Sequence, residues 1–267
     1  MRRGPLALAL VGTGLAMGAV AAYRGIVRPW YERWGVQPDD EQRLLPGDEL
    51  IAGPTAGDTR GITIEAPAAA IWPWLVQMGF GRAGWYSYDT LDMRGRSANA
   101  IVPEWQSIAI GQTMPTWPGG GFEVVQVEPD HALVLYLDDT IVARQEAEAR
   151  ATAVGGLGAD STTPGLAASA AIMRSQPRRF RASWAFVLDP VDGERTRLIE
   201  RLRVEYADIA AWNRVTGPLF GVGVFLMTRR QLLGIKERSE RLISRGPIKP
   251  AAEELPVETG HQELVPA

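Results

Sequence analysis

The chain has 267 residues, 28 basic against 31 acidic side chains, a net charge of −3, no cysteine and two histidines, His131 and His261. Without Cys there is no disulfide framework, thiol nucleophile, iron–sulfur cluster or Cys-based zinc site, and two His argue against an imidazole relay or a His-rich metal site. The balanced charge argues against nucleic acid as a partner, because such proteins present a basic face.

Residues 1–35 read as a membrane anchor with a juxtamembrane segment. Arg2-Arg3 precede an uncharged run of 17 residues, Leu6 to Ala22. That is the short end of a spanning helix, for which about 20 residues is typical. A cleaved signal peptide with Ala19-Val20-Ala21 at its processing site is the rival reading. The length of the run favours an uncleaved anchor. So do Tyr23-Arg24 and Arg28-Pro29-Trp30-Tyr31 after it, residue types that belong at a membrane interface. The distribution of Arg leans to a cytoplasmic C-terminal domain.

Residues 36–59 are polar and rich in Pro and Gly, a linker or an extended arm wrapped on the domain. A domain over 60–244 follows. Arg60 to Glu65 alternates apolar and polar and predicts a strand. Pro67 opens a helix whose apolar positions are Ile71, Trp72, Leu75, Val76 and Met78, with Pro73 inside and Gly79 and Gly81 after it. A short helix is expected from Tyr86 to Met93. Gly121 to Val127 and His131 to Leu137 predict two strands around the Pro129-Asp130 turn. Phe180 to Leu188 and Thr196 to Tyr206 predict a hairpin across Asp189-Pro190-Val191-Asp192-Gly193. A long final helix is expected from near Ala207 to Ser244, kinked at Gly217-Pro218. Residues 140–177 are poor in large apolar side chains and read as an insertion, with a short helix around Ala143 to Ala151. Residues 245–267 carry four Pro and several Glu and read as a disordered tail.

The order of strand, helix pair, antiparallel strands and long last helix resembles the START-like, or SRPBCC, superfamily of polyketide cyclases, dehydrases and lipid-transfer domains. Ile62-Thr63-Ile64-Glu65-Ala66-Pro67 with Ile71-Trp72 resembles its opening strand and helix. Gly84-Trp85-Tyr86-Ser87-Tyr88 and Ile101-Val102-Pro103-Glu104 resemble a membrane-anchored bacterial subgroup of it. The resemblance implies an α+β helix-grip fold, an antiparallel sheet wrapped around the C-terminal helix with an apolar cavity between them. It carries over no catalytic set.

Several residues are candidates for that cavity. Trp85, Tyr86 and Tyr88 fall on the expected second helix. Aromatic packing is their ordinary explanation, and a ligand gate is the sharper one. In the last strand Leu198, Glu200, Leu202, Val204 and Tyr206 share one face, with Arg197, Ile199, Arg201 and Arg203 on the other. An inward face would bury Glu200, which is costly without a partner. Trp184 and Phe186 on the neighbouring strand would line the same space, with Phe220 and Val224 of the last helix opposite. Glu104, between Pro103 and Trp105, is the second candidate acid. Gly79-Phe80-Gly81-Arg82-Ala83-Gly84 matches G-x-G-x-x-G in letters only, since it follows a helix rather than a strand.

The sequence thus predicts a membrane-anchored protein that binds a hydrophobic small molecule or lipid in an internal cavity, with no cofactor and no metal. One alternative is a cyclase, dehydrase or isomerase using Glu200 or Glu104. Another is a non-catalytic interaction module.

Overall fold

A computed structural model describes residues 17–92, 96–153, 179–207 and 216–244. The expected anchor lies outside these residues except for 17–22. So do the tail at 245–267 and the part of the insertion from 154 to 177. No helix among the described residues is long and apolar enough to cross a membrane.

Helix α1 runs over 17–32, with a π-helical stretch at Tyr23–Val27. An arm follows, holding the short helix α2 (Pro38–Gln42) and a 3-10 turn, Asp48–Ile51. Strand β1 (Ala56–Ile64) leads to α3 (Ala68–Val76), α4 (Asp89–Asp92) and a 3-10 turn at Pro103–Trp105. Then come β2 (Thr113–Trp117), β3 (Gly120–Glu128), β4 (Ala132–Asp138), α5 (Asp139–Ala153), β5 (Phe180–Pro190), β6 (Thr196–Tyr206) and α6 (Thr216–Ser244).

The strands form one antiparallel six-stranded sheet in the order β1-β6-β5-β4-β3-β2. One face is covered by α3 and α6, an α+β arrangement compatible with a helix grip. The core sits there: Leu133 and Leu135, Phe186 and Leu188, and Leu198 meet Ile71, Leu75, Leu232 and Ile235. Alternation along β4, β5 and β6 places these residues on a common side, as the pleat requires. In α6, Gly234 lets the helix approach closely. A Cβ there would lie 2.2 Å from the backbone oxygen of Tyr86.

The arm occupies the opposite face. Leu45 packs on Val187 and Ile199, and the chain turns at Gly47, whose φ is +88° and whose missing Cβ would strike Val134. The outward arginines of β6 hold it down. Arg197 pairs with buried Asp40 at 2.6 Å, Arg201 with buried Asp48 at 2.5 Å, and Arg203 donates to the Ile51 carbonyl at 2.9 Å.

Three expectations are corrected. Trp85 to Tyr88 is not helical; Tyr86 has a φ of 57°, in the left-handed region, and the described helix begins at Asp89, with Met93 outside the described residues. β2 was not anticipated. Pro115 and a length of five residues hide its alternation. The helix expected around Ala143 to Ala151 is longer, and it starts directly after β4. Asp138 accepts hydrogen bonds there from the backbone N–H groups of Thr140 (3.0 Å) and Ile141 (2.8 Å), which fixes its start. The expected start of the last helix, near Ala207, runs into 208–215, which lie outside the described residues, and α6 is described from Thr216.

Candidate functional site

The inner face of the sheet holds a polar cluster where an apolar core is expected. β1 and β6 pair so that Arg60 stands opposite Glu200, Asp58 opposite Leu202 and Ile62 opposite Leu198. All six therefore share the face beneath α6. Arg60 and Glu200 are fully buried.

Each charge in the cluster is partly met. Arg60 Nη1 lies 2.6 Å from Asp58 Oδ1, off the axis of a hydrogen bond. Its Nε donates to the Tyr31 carbonyl at 3.3 Å. Tyr31 sits in the last turn of α1, whose carbonyls lack partners within the helix and attract a cation. The guanidinium also lies 5.7 Å from the centre of the Phe225 ring of α6. Glu200 Oε1 accepts a hydrogen bond from Trp184 Nε1 at 2.8 Å. Among the described residues, Glu200 Oε2 and Arg60 Nη2 have no hydrogen-bond partner. Burial pushes the Glu200 carboxyl up to about 7, opposed by the charge of Arg60. Burial likewise pushes Asp58 up to about 6, again opposed by Arg60.

Beside this cluster stands an aromatic wall. The Trp184 ring stacks on Trp85 at 5.3 Å, meets Phe122 edge-on at 5.6 Å and lies 5.0 Å from Phe186. Phe186 is fully buried, whereas Phe122, Trp184 and Leu202 are only partly so although they face inward. An apolar surface with one convergent polar group is the usual make-up of a small-molecule site.

The sequence candidates divide. Trp85, Trp184, Phe186, Leu202 and Glu200 come together. Tyr86 sits behind them in the core: its hydroxyl donates to the Trp74 carbonyl (3.1 Å) and accepts from Gln77 Nε2 (3.0 Å). Arg238 covers its ring at 4.7 Å. Tyr88 is 43% exposed and stands apart. Glu104 is exposed on its 3-10 turn. Val224 is partly buried on α6, and Phe220 belongs to α6 with its side chain outside the described residues. Asp58, Arg60, Phe122, Tyr31 and Phe225 were not anticipated. Extending the alternation of β1 back by two steps would have found Asp58 and Arg60 on the face of Ile62 and Ile64. No group of three metal-ligating side chains occurs among the described residues.

No family model and no curated protein matches the chain. Among solved structures it is similar to protein MLL2253 from Mesorhizobium loti, at 16% identity over 72% of this chain and 100% of that one, with a TM-score of 0.33. A Thermobifida fusca protein matches at 15% over 70% and 95%, TM-score 0.37. The Zhui aromatase/cyclase from Streptomyces sp. R1128 matches at 13% over 72% and 99%, TM-score 0.28.

Proposed function

We propose that this protein binds a hydrophobic small molecule or lipid between the sheet and α6, and that an N-terminal single-pass anchor holds it at the membrane with the domain on the cytoplasmic side. The observation that carries the reading is the pairing of a partly open aromatic wall with a buried polar group that still has capacity. Trp184, Phe122 and Leu202 offer apolar contact, while Glu200 Oε2 and Arg60 Nη2 offer one acceptor and one donor. A ligand with an apolar body and one polar end satisfies both parts, since each buried polar atom gains by acquiring a partner. The uncharged run from Leu6 to Ala22 supports the anchor, which would keep the site near poorly soluble molecules.

The test is native mass spectrometry of the full chain extracted from membranes, with lipid extracts analysed in parallel. A bound apolar molecule of defined mass supports the reading. A chain that carries none, and takes up none from total lipid extract, overturns it.

A second reading uses the same site for proton transfer. A carboxyl near neutrality in an apolar setting, with one oxygen unengaged, has the properties of a general base. Glu200 alone fits it, because Glu104 faces solvent. Conversion of the identified ligand that stops in Glu200→Gln, with binding retained, would favour this reading over simple carriage.

A further inference from the structure

The passage from the uncharged N-terminal run into the folded domain contains no flexible linker. Helix α1 continues without interruption from residue 17 to residue 32. Its end is packed on α6. The Trp30 ring meets Phe225 edge-on at 5.3 Å, and Tyr31 lies 5.7 Å from the same ring and is buried. Gly221 leaves room for the Tyr31 hydroxyl, which a Cβ there would approach to 3.0 Å. The Tyr31 carbonyl then accepts from Arg60 in the ligand site.

Around this junction the surface is apolar and cationic. Ile26 (71%), Val27 (44%) and Trp30 (60%) of α1 are exposed, and so is Leu226 (49%) of α6, next to Phe225. The sequence has no acidic residue from Met1 to Tyr31, nor from Thr216 to Lys236. Arg24, Arg28 and Arg229 are exposed beside the patch. The first acid in the sequence, Glu32, is held by Arg28 at 2.7 Å. Exposed Trp and aliphatic side chains flanked by Arg suit the headgroup region of an anionic bilayer. An apolar patch drawn from two elements is also unusual on a surface that meets only water.

We propose that α1 and the part of α6 around Leu226 form one lipid-facing surface, so that the domain rests on an anionic bilayer over Trp30 and Leu226 rather than hanging from a tether. The proposal rests on the membrane-anchor reading above. It adds an orientation: the roof of the ligand site, where Tyr31 and Phe225 cover Arg60, lies against the lipid, and the β5–β6 hairpin points into water.

The absence of native Cys makes the test direct. Leu226→Cys and, as control, Val191→Cys in the exposed β5–β6 hairpin are labelled with an environment-sensitive fluorophore. The full chain is reconstituted in phosphatidylcholine vesicles containing a minority of phosphatidylglycerol. The label at 226 should be blue-shifted and quenched several-fold more by brominated lipid than the label at 191. Equal, water-like behaviour of the two labels in a chain that still floats with the vesicles overturns the docking and leaves the anchor. A chain that does not float overturns both.

Discussion

Trp184 Nε1 donates a 2.8 Å hydrogen bond to Glu200 Oε1, and the two side chains sit on adjacent strands of the inner sheet face. This bond joins the aromatic wall to the buried charge. It spends one oxygen of the carboxylate and leaves the other free among the described residues. The indole is held in place on three sides, by Trp85, Phe122 and Phe186.

Trp184→Phe should therefore reduce ligand carriage by removing both wall area and the bond that orients Glu200. Tyr86→Phe should not, because its hydroxyl serves Gln77 and the Trp74 carbonyl instead. Losing those bonds should cost about 1–2 kcal/mol of stability. The ratio of co-purified ligand to protein, with a urea titration of each variant, separates the two roles. Equal loss of ligand in both variants would mean that Trp184 acts only through the fold.

Glu200 gives stability a definite pH dependence. Its folded carboxyl sits at about 7 against an ordinary value of 4.5, so the folded chain keeps a proton that the unfolded chain has released. Stability is therefore complete below about pH 4.5 and falls as pH rises, until Glu200 ionises in the folded state near 7. Asp58 adds the same sign between 3.8 and about 6. The Glu200 part is on the order of 3 kcal/mol. Glu200→Gln should flatten this fall. Calorimetric Tm values at about pH 5 and about pH 8 should converge on those of wild type at the acid end and exceed them at the alkaline end. Parallel profiles would show that Glu200 does not titrate in this range.

The arm makes a separate prediction. Arg201 reaches buried Asp48, which also accepts from the Leu45 N–H at 3.0 Å. Arg201→Ala leaves that carboxylate to Arg203, 3.3 Å from its other oxygen, and to the Leu45 N–H, so the loss is about 1–3 kcal/mol, the cost of removing one partner of a buried polar group. The arm should loosen before the sheet does. Limited proteolysis should cut within 37–55 faster than in wild type, while far-ultraviolet circular dichroism of the uncut chain stays unchanged. Cleavage at the wild-type rate would assign the arm's hold to Leu45 and Ile51 rather than to the ion pairs.

Legibility in the sequence followed locality. The hairpin of β5 and β6 could be read because strong alternation and a Pro-Asp-Gly turn lie within one stretch of chain. The parity of β6 separates Glu200 from Arg197, Arg201 and Arg203, and the two sets lie on opposite faces of the sheet. What those arginines bind was hidden, because Asp40 and Asp48 lie more than 150 residues away in a stretch that looks like linker. Arg60 escaped for a related reason. A charged residue at the expected edge of a strand reads as its polar end, and only the pairing with Glu200 shows it to be central. Tyr86 misled because its left-handed backbone, held by the Ser97 hydroxyl and capped by Gly234, breaks a pattern that looks helical.

The close approach of α6 to the Tyr86 turn offers the sharpest structural test, with its control in the same helix. Gly234→Ala would place a methyl 2.2 Å from the Tyr86 carbonyl oxygen, which is backbone and cannot rotate aside. Either α6 lifts or the turn moves, and both disturb Trp85 next in sequence and hence the stack on Trp184. Overpacking of this kind costs about 1–3 kcal/mol. Gly223→Ala meets nothing within 4 Å. It should stabilise the helix by up to about 1 kcal/mol, the propensity difference between the two residues. Thermal unfolding of the pair should move Tm in opposite directions, and ligand carriage should fall only in Gly234→Ala. A shift of both variants in the same direction would show that helix propensity, not contact with the turn, governs position 234.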